Sequence, residues 1–235
     1  MKTKALTMLK ALFYKDLRIV KPILVLLAVA TPLTFVAIAG ICFYSMHSER
    51  SHESILATVF HLSLQISIYA SYLSIAFVCS TVLTAERQDR SIEFLSYLPP
   101  LRLHILLSKL ALVALCLVAC LSLFGCLRVL LEYFQDFSTE VSGRDIGAGD
   151  AIGMWVGCAG ASWFIGSFSK STGLPALAGI LSPMLVIAAV QISLHMTESS
   201  MSLDTMQSVV SNSVLLFGLA GFISGSLFFL NGDWT

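Results

Sequence analysis

Residues Ala85–Lys109 read AERQDRSIEFLSYLPPLRLHILLSK, and this stretch decides how the chain is laid out. It separates two long apolar runs, carries four charges within residues 86–90, and contains the pair Pro99 and Pro100. Charged side chains cannot enter the hydrocarbon core of a membrane cheaply. The apolar run before this stretch must therefore end here, which predicts two membrane spans joined by a charged connection.

The composition indicates that the whole chain is embedded in a membrane. Of its 235 residues, 57% belong to the hydrophobic set and 12% are charged, and the mean hydropathy is +0.86. These values lie outside the range of ordinary soluble domains. The 14 basic and 14 acidic residues balance, so the net charge gives no reason to expect a nucleic-acid partner, and none is predicted.

Six segments are long enough to cross a bilayer, which requires roughly 20 apolar residues of helix. They are Ile23–Met46, Ile55–Leu83, His104–Leu131, Ala148–Phe168, Leu174–Met196 and Val209–Leu230. No soluble domain fits between them. The predicted fold is an all-α integral membrane protein with one transmembrane domain over residues 1–235.

Residues 1–22 precede the first span and carry an apolar stripe. Its members are Leu6, Leu9, Leu12, Phe13 and Leu17. Because Lys4, Lys15 and Arg18 lie largely off this stripe, the pattern predicts an interfacial helix on the membrane surface. The alternative is a polar leader that only orients the first span.

The orientation follows from Lys and Arg, which are retained on the cytoplasmic side. With the N-terminus inside, eleven of the fourteen fall in cytoplasmic segments. These are Lys2, Lys4, Lys10, Lys15, Arg18, Lys21, Arg87, Arg90, Arg102, Lys109 and Lys170, while Arg50, Arg128 and Arg144 fall outside. Both termini and the stretch Ala85–Lys109 are thus predicted to be cytoplasmic.

Within that stretch, Ile92, Phe94, Leu95 and Leu98 alternate with polar residues, which predicts a short amphipathic helix ended by the two prolines. Arg102 and Lys109 then flank the entry of the third span. Such a helix is a plausible docking surface for a soluble partner, and a solvated loop is the alternative.

The order of residues in this stretch resembles the pattern of ABC type-2 transporter permeases. The matching positions are Glu86-Arg87, Arg90-Ser91-Ile92-Glu93-Phe94-Leu95, Pro99, Arg102, Ile105-Leu106-Leu107 and Lys109. Two positions depart from the family: Arg90 stands where glycine is usual, and Pro100 where a small aliphatic residue is common. The layout of an N-terminal amphipathic helix, six spans and a polar tail is also similar.

The resemblance implies that residues 85–103 are a coupling segment that receives motion from a separate ATP-binding-cassette ATPase subunit. The implied coupling residues are Glu86, Arg87, Arg90, Glu93, Phe94, Leu95, Pro99 and Arg102. It further implies a homodimer or a pair with a second permease, and export as the direction of transport. ATP and Mg would bind the partner ATPase, and no cofactor is expected in this chain. The single unfused chain indicates a prokaryotic plasma (inner) membrane.

Polar residues inside spans are candidates for a translocation path, because each is costly unless it faces protein or water. His61 and Gln65 lie four residues apart in the second span, and Gln191 and His195 repeat that spacing in the fifth. In the resembled family these two helices border the path, so the four residues are predicted to line an outward vestibule. Hydrogen-bonded structural residues are the alternative.

Glycines at helical spacing predict close helix packing. Gly153 and Gly157 in the fourth span, and Gly221 and Gly225 in the sixth, form small-xxx-small patterns that let helices approach closely in lipid. The patterns leave open whether these glycines pack within one chain or across a dimer.

Two other classes of function are weaker. The segment 166–173, GSFSKSTG, has a serine where a phosphate-binding loop needs glycine, and it joins two membrane spans instead of following a strand. An intramembrane enzyme would require paired carboxylates or a nucleophile motif, and the predicted spans of this sequence contain neither. A membrane scaffold or immunity protein that binds a partner without transport remains the alternative.

Overall fold

The computed structural model describes residues 10, 12–26, 29, 33, 36–38, 40, 52–88, 99–135, 148–196 and 202–231. All regular secondary structure in these ranges is helical. Five helices are defined from end to end: α1 (His52–Gln88), α2 (Pro99–Gln135), α3 (Ala148–Gly166), α4 (Gly173–Met196) and α5 (Leu203–Asn231). Residues 12–26 are also helical and are called the N-terminal segment below.

The five helices correspond in order to the second through sixth predicted spans. Four contain stretches long and apolar enough to cross a membrane, namely Leu62–Ala85, Arg102–Val129, Gly173–Met196 and Thr205–Asn231. This confirms an all-helical protein that crosses the membrane several times. Most of the first predicted span, Ile23–Met46, lies outside the described residues, and its crossing stays a prediction.

Helix α3 is the central element of the bundle, in contact with α1, α4 and α5. It is not one of the four stretches above, and its 19 residues correspond to a length of about 28 Å. Because protein surrounds it, α3 can carry glycine, alanine and serine where a lipid-facing helix needs large apolar side chains. Its two buried tryptophans both donate to neighbouring helices: Trp155 Nε1 to Ile68 O at 3.4 Å, and Trp163 Nε1 to Ser226 Oγ at 3.2 Å.

The helix directions alternate along the chain. Lys109 of α2 contacts Val82 of α1, and a side chain at Gly166 of α3 would meet Leu83 of α1 and Pro175 of α4. The end of α1, the start of α2, the connection 167–172 and the end of α5 consequently lie at one end of the bundle. This end is called the connection end below. The start of α3 and the start of α5 meet at the opposite end, where Ser211 Oγ donates to Gly149 O at 2.8 Å.

The N-terminal segment packs against the bundle through one face. Val20 is fully buried within the main apolar core, and Leu12, Phe13 and Leu17 pack against that core. The predicted apolar stripe is thus directed at protein in its described part, since the core it meets consists mainly of residues from α1, α2 and α3. Whether the segment also lies on a membrane surface stays a prediction.

The closest helix contact joins α3 to α5 and depends on glycines from both helices. A Cβ at Gly160 would overlap the carbonyl oxygen of Gly218 and lie 2.6 Å from its carbonyl carbon, and a Cβ at Gly221 would lie 2.6 Å from Gly160 O. Gly157 and Gly225 are similarly close to Val214 and Trp163. Each of the two glycine patterns, in the fourth and sixth predicted spans, therefore packs against the other helix within one chain.

Replacing Gly160 by valine should separate α3 from α5 and destabilise the fold. The new side chain would meet backbone, which cannot rotate away, so we expect a loss of about 3 kcal/mol or more, the upper range for overpacking. The measurement is the thermal unfolding midpoint of the detergent-solubilised protein.

Gly125→Val is the matched control, because Gly125 also lies inside a helix and has no neighbouring atom within 4 Å of a Cβ position. Equal midpoints for the two variants would contradict the role assigned to the glycine contact.

Candidate functional site

The described parts of the predicted coupling segment, residues 85–88 and 99–103, lie at the connection end, where α1 ends at Gln88 and α2 starts at Pro99. Glu86 and Arg87 lie in the last turn of α1. Four of the predicted coupling residues lie outside the described part of the chain: Arg90, Glu93, Phe94 and Leu95.

The two prolines open α2. The sequence predicts that Pro99 and Pro100 end a short helix, and the structure adds that Pro99 is the first residue of α2. A residue in the first turn has no intrahelical acceptor for its N–H, and the fixed φ of proline suits that turn. The double proline therefore marks where the connection ends and the helix of the third predicted span begins.

Arg102 connects the start of α2 to the end of α5. Its Nη1 donates to Leu230 O at 3.3 Å, and Leu230 is one residue from the end of α5. The last carbonyls of a helix have no intrahelical donor and carry partial negative charge, so a guanidinium stabilises them. Within the described residues, Arg102 Nε is buried without a hydrogen-bond acceptor. This predicted coupling residue therefore contacts the chain's own last helix.

Lys109 is fully buried, although the sequence predicted it at the membrane edge. Its ammonium donates to Val82 O of α1 and lies 3.8 Å from Asp16 Oδ1 of the N-terminal segment. Ser108 Oγ donates to Asp16 Oδ2 at 3.2 Å. The three side chains are 0–3% exposed, so a charged cluster joins the N-terminal segment to the α1–α2 hairpin.

Asp16 is the residue of this cluster that the sequence reasoning missed. A signal was present, because Asp16 lies one helical turn from both Leu12 and Val20 and therefore falls on the apolar face of its segment. A carboxylate at a core-facing position is costly unless a cation or donors satisfy it. That position alone predicts a buried basic partner.

Tyr72 of α1 compensates for a proline in α4. Pro183 lies inside α4 and has no N–H, so Gly179 O, four residues earlier, lacks its helical donor. Tyr72 Oη is 3.2 Å from Gly179 O and 2.5 Å from Ile180 O. The Tyr72 side chain is 2% exposed. The single hydroxyl proton is shared between these two carbonyls, so Tyr72 replaces part of the hydrogen bond that Pro183, the only described interior proline of α4, removes from Gly179 O. Pro175 lies in the first turn, where no bond is lost.

The four predicted path residues lie on α1 and α4. Gln65 is partly buried, Gln191 and His195 are exposed, and the structure describes only the backbone of His61. The two helices are antiparallel and meet where Tyr72 contacts Gly179. Gln65 lies about 10 Å from that crossing along α1, and Gln191 about 18 Å along α4, at the rise of an α-helix. Both residues are displaced toward the end of the bundle opposite the connection end, and their place in a vestibule stays a prediction.

A groove of about 570 Å³ lies between α3, α4 and α5. Its lining is almost entirely apolar and includes Phe164, Leu181, Leu185 and Phe217, with Ser182 among the few polar residues. The volume falls in the range of small-molecule sites. None of the four predicted path residues lines it, so the groove and the predicted vestibule are separate features.

The connection 167–172 has the conformation of a short turn. It follows helix α3, and Ser169 Oγ donates to Ser171 O at 3.0 Å. A phosphate-binding loop follows a strand instead. Among the described residues, no group of three or more His, Cys, Asp or Glu side chains could hold a metal ion.

Comparison with known proteins identifies the family. Residues 13–167 match the family model described as ABC-2 family transporter protein. The match begins in the N-terminal segment, includes the whole stretch Ala85–Lys109, and ends just after α3. This chain belongs to the ABC-2 transporter family and is a membrane component of that class, which confirms the resemblance seen in the sequence. No curated protein and no solved structure matches it.

Replacing Tyr72 by phenylalanine should destabilise the protein by about 1–2 kcal/mol, because a buried carbonyl then loses its donor while the ring stays in place. The measurement is the unfolding midpoint in detergent, compared with that of Tyr69→Phe. Tyr69 lies one turn earlier on α1 and is 49% exposed, so its hydroxyl is not enclosed between helices. Similar midpoints for both variants would remove the role assigned to Tyr72.

Proposed function

We propose that this chain is the permease subunit of an ATP-binding-cassette exporter, coupled through residues 85–103 to a separate ATPase subunit. Two copies, or one copy and a second permease, form the translocation path. The chain crosses a prokaryotic plasma membrane six times, with both termini and the connection end in the cytoplasm. ATP and Mg bind the ATPase, and this subunit contributes mechanical coupling and substrate selection.

The observation that carries the proposal is the family match, because it spans the coupling segment together with both helices that border it. The arrangement of the connection end supports it further. This end contains Arg102 and Lys170 together with the end of α5. Lys and Arg are enriched in cytoplasmic segments, so these two residues agree with a cytoplasmic location. An ATPase docked there reaches α1, α2 and the end of α5 together.

The coupling residues act in two groups under this proposal. Glu86, Arg87, Arg90, Glu93 and Arg102 orient the coupling segment through charge pairs, while Phe94 and Leu95 fill a groove on the ATPase. Pro99 fixes the point where the segment passes into α2. Because Arg102 contacts Leu230 O, a displacement of the segment also acts on the end of α5.

Helix α4 supports the pairing of two permeases. Only 11% of its apolar stretch is buried, against 61% for the stretch in α1. Leu177, Leu181 and Met184 are exposed and recur at helical spacing, and Gln191 and His195 continue the same face. A second permease that meets this face would place the predicted path residues of α4 at the boundary between the two subunits.

The experiment that tests the function is purification of the tagged protein in mild detergent from its own host, with mass spectrometry of what accompanies it. The proposal predicts a soluble subunit with a phosphate-binding loop in near-equal amount. Absence of such a subunit would favour the scaffold or immunity protein.

In that complex, Glu93→Lys should abolish substrate-stimulated ATP hydrolysis while membrane insertion continues, because the change reverses a charge at the docking surface. ATP hydrolysis is measured in proteoliposomes with and without substrate. Glu132→Lys is the matched control, since Glu132 lies near the opposite end of α2 in an exposed ion pair with Arg128 at 2.9 Å, and such pairs contribute little. Normal stimulation in Glu93→Lys would rule out coupling through this residue.

For the predicted vestibule, Gln65→Leu and Gln191→Leu should change the range of exported substrates more than the amount of assembled complex. Removing a polar side chain from the path changes which polar groups of a substrate find a hydrogen-bond partner there. Uptake into inverted vesicles with a panel of amphipathic compounds measures this range. Ser193→Ala is the control, because the Ser193 hydroxyl donates to Ala189 O in its own helix at 2.8 Å. An unchanged range would leave both glutamines as packing residues.

A further inference from the structure

The buried cluster of Asp16, Ser108 and Lys109 joins three parts of the chain at one point. Asp16 belongs to the N-terminal segment, Ser108 and Lys109 to α2, and the hydrogen-bond acceptor of the Lys109 ammonium, Val82 O, to α1. Each of the three side chains is almost completely shielded from solvent. The cluster is therefore a contact between elements and not a feature of one helix.

Apolar side chains also pack the N-terminal segment against the bundle. Leu12, Phe13, Leu17 and Val20 make these van der Waals contacts, which have little directional preference. A buried ion pair often stabilises a fold no more than apolar side chains of similar volume. What the charged cluster adds is geometry, because the ammonium and the carboxylate must meet at fixed distances with their hydrogen bonds satisfied.

The cluster lies close to the coupling segment. Val82 is six residues before the end of α1, and Lys109 is ten residues after the start of α2. At the rise of an α-helix these separations correspond to about 9 Å and 15 Å. The N-terminal segment is thus attached near the tip of the α1–α2 hairpin, where the coupling segment joins the two helices.

We propose that Asp16 and Lys109 are positioning residues that make the N-terminal segment move as one body with the α1–α2 hairpin. A displacement of the coupling segment then reaches the N-terminal segment and the predicted first span that follows it. The Asp16–Lys109 pair acts as a rigid joint between the N-terminal segment and the α1–α2 hairpin. This inference rests on the proposed function for the origin of the displacement, whereas the joint itself can be tested in the isolated chain.

The first test measures hydrogen–deuterium exchange of the isolated protein in lipid nanodiscs. Asp16→Asn and Lys109→Met should each speed exchange of amides in residues 12–26 by about tenfold or more, the loss expected for one charge-assisted hydrogen bond. Amides of α4 and α5 should be unaffected. Arg18→Gln is the control, because Arg18 is an exposed cation of the same segment.

The double variant Asp16→Leu with Lys109→Met separates a joint from simple packing. It removes both charges and leaves apolar side chains, so it should recover the thermal stability that either single variant loses. It should not recover the fixed position of the N-terminal segment on the α1–α2 hairpin that the charges impose. If the single variants exchange as the native protein does, the joint does not exist and the inference is overturned.

The second test follows the movement in the complex with the co-purified ATPase. Spin labels replace Tyr14 of the N-terminal segment and Val118 of α2, both exposed, and the distance between them is measured without nucleotide and with MgATP and vanadate. The native pair should give one distance in both states. The double apolar variant should give a broadened or shifted distance with nucleotide, together with less substrate exported per ATP hydrolysed.

The outcomes distinguish this inference from the proposed function. An unchanged distance and normal export per ATP in the double apolar variant would show that packing suffices, which overturns the joint while the permease role stands. Absence of any co-purified ATPase would overturn the proposed function and with it the transmission step. Faster exchange in residues 12–26 of the single variants would still support the joint in that case.

Discussion

The contact between α3 and α5 is the constraint on which the bundle depends. Helices surrounded by lipid gain no hydrophobic stabilisation from meeting one another, so van der Waals contact and interhelical hydrogen bonds must hold them together. Gly160 and Gly218 allow backbone to touch backbone, which gives dense contact without any side chain between. Once α3 is held in this way, α1 and α4 can pack on its remaining faces.

The same environment explains why polar side chains inside the bundle reach across to neighbouring helices. Water is scarce there, and an unsatisfied polar group is costly. Trp155 donates to a carbonyl of α1, and Tyr72 donates to the carbonyl that Pro183 leaves without a helical partner. These bonds do more than satisfy single atoms, because each one also fixes the relative position of two helices.

Much of this architecture follows from the sequence, and the exceptions have a physical explanation. Apolar runs predict the five described helices in order, with ends that agree to within several residues, because a helix needs about 20 apolar residues to cross a bilayer. The sequence does not predict which helices pack together. The spacing of Gly153 and Gly157 indicates that another helix approaches closely, but not which helix it is. The buried partner of Lys109 was not predicted for a related reason. A lysine near a span entry is typical of the membrane edge, and only the position of Asp16 on an apolar face indicates a buried partner.

The distribution of these contacts separates two parts of the protein. Contacts of charged side chains join helices near the connection end. Lys109 contacts the N-terminal segment, and Arg102 contacts the end of α5. Helix α4 has a different environment: its hydrogen bond from Tyr72 and the close packing of Gly179 hold one region, while most of its surface is exposed. The family match covers Asp16, Arg102 and Lys109 and ends before α4 and α5. Family membership therefore supports the coupling role most directly, whereas the assignment of Gln191 and His195 to a path depends on the exposed face of α4 in this particular chain.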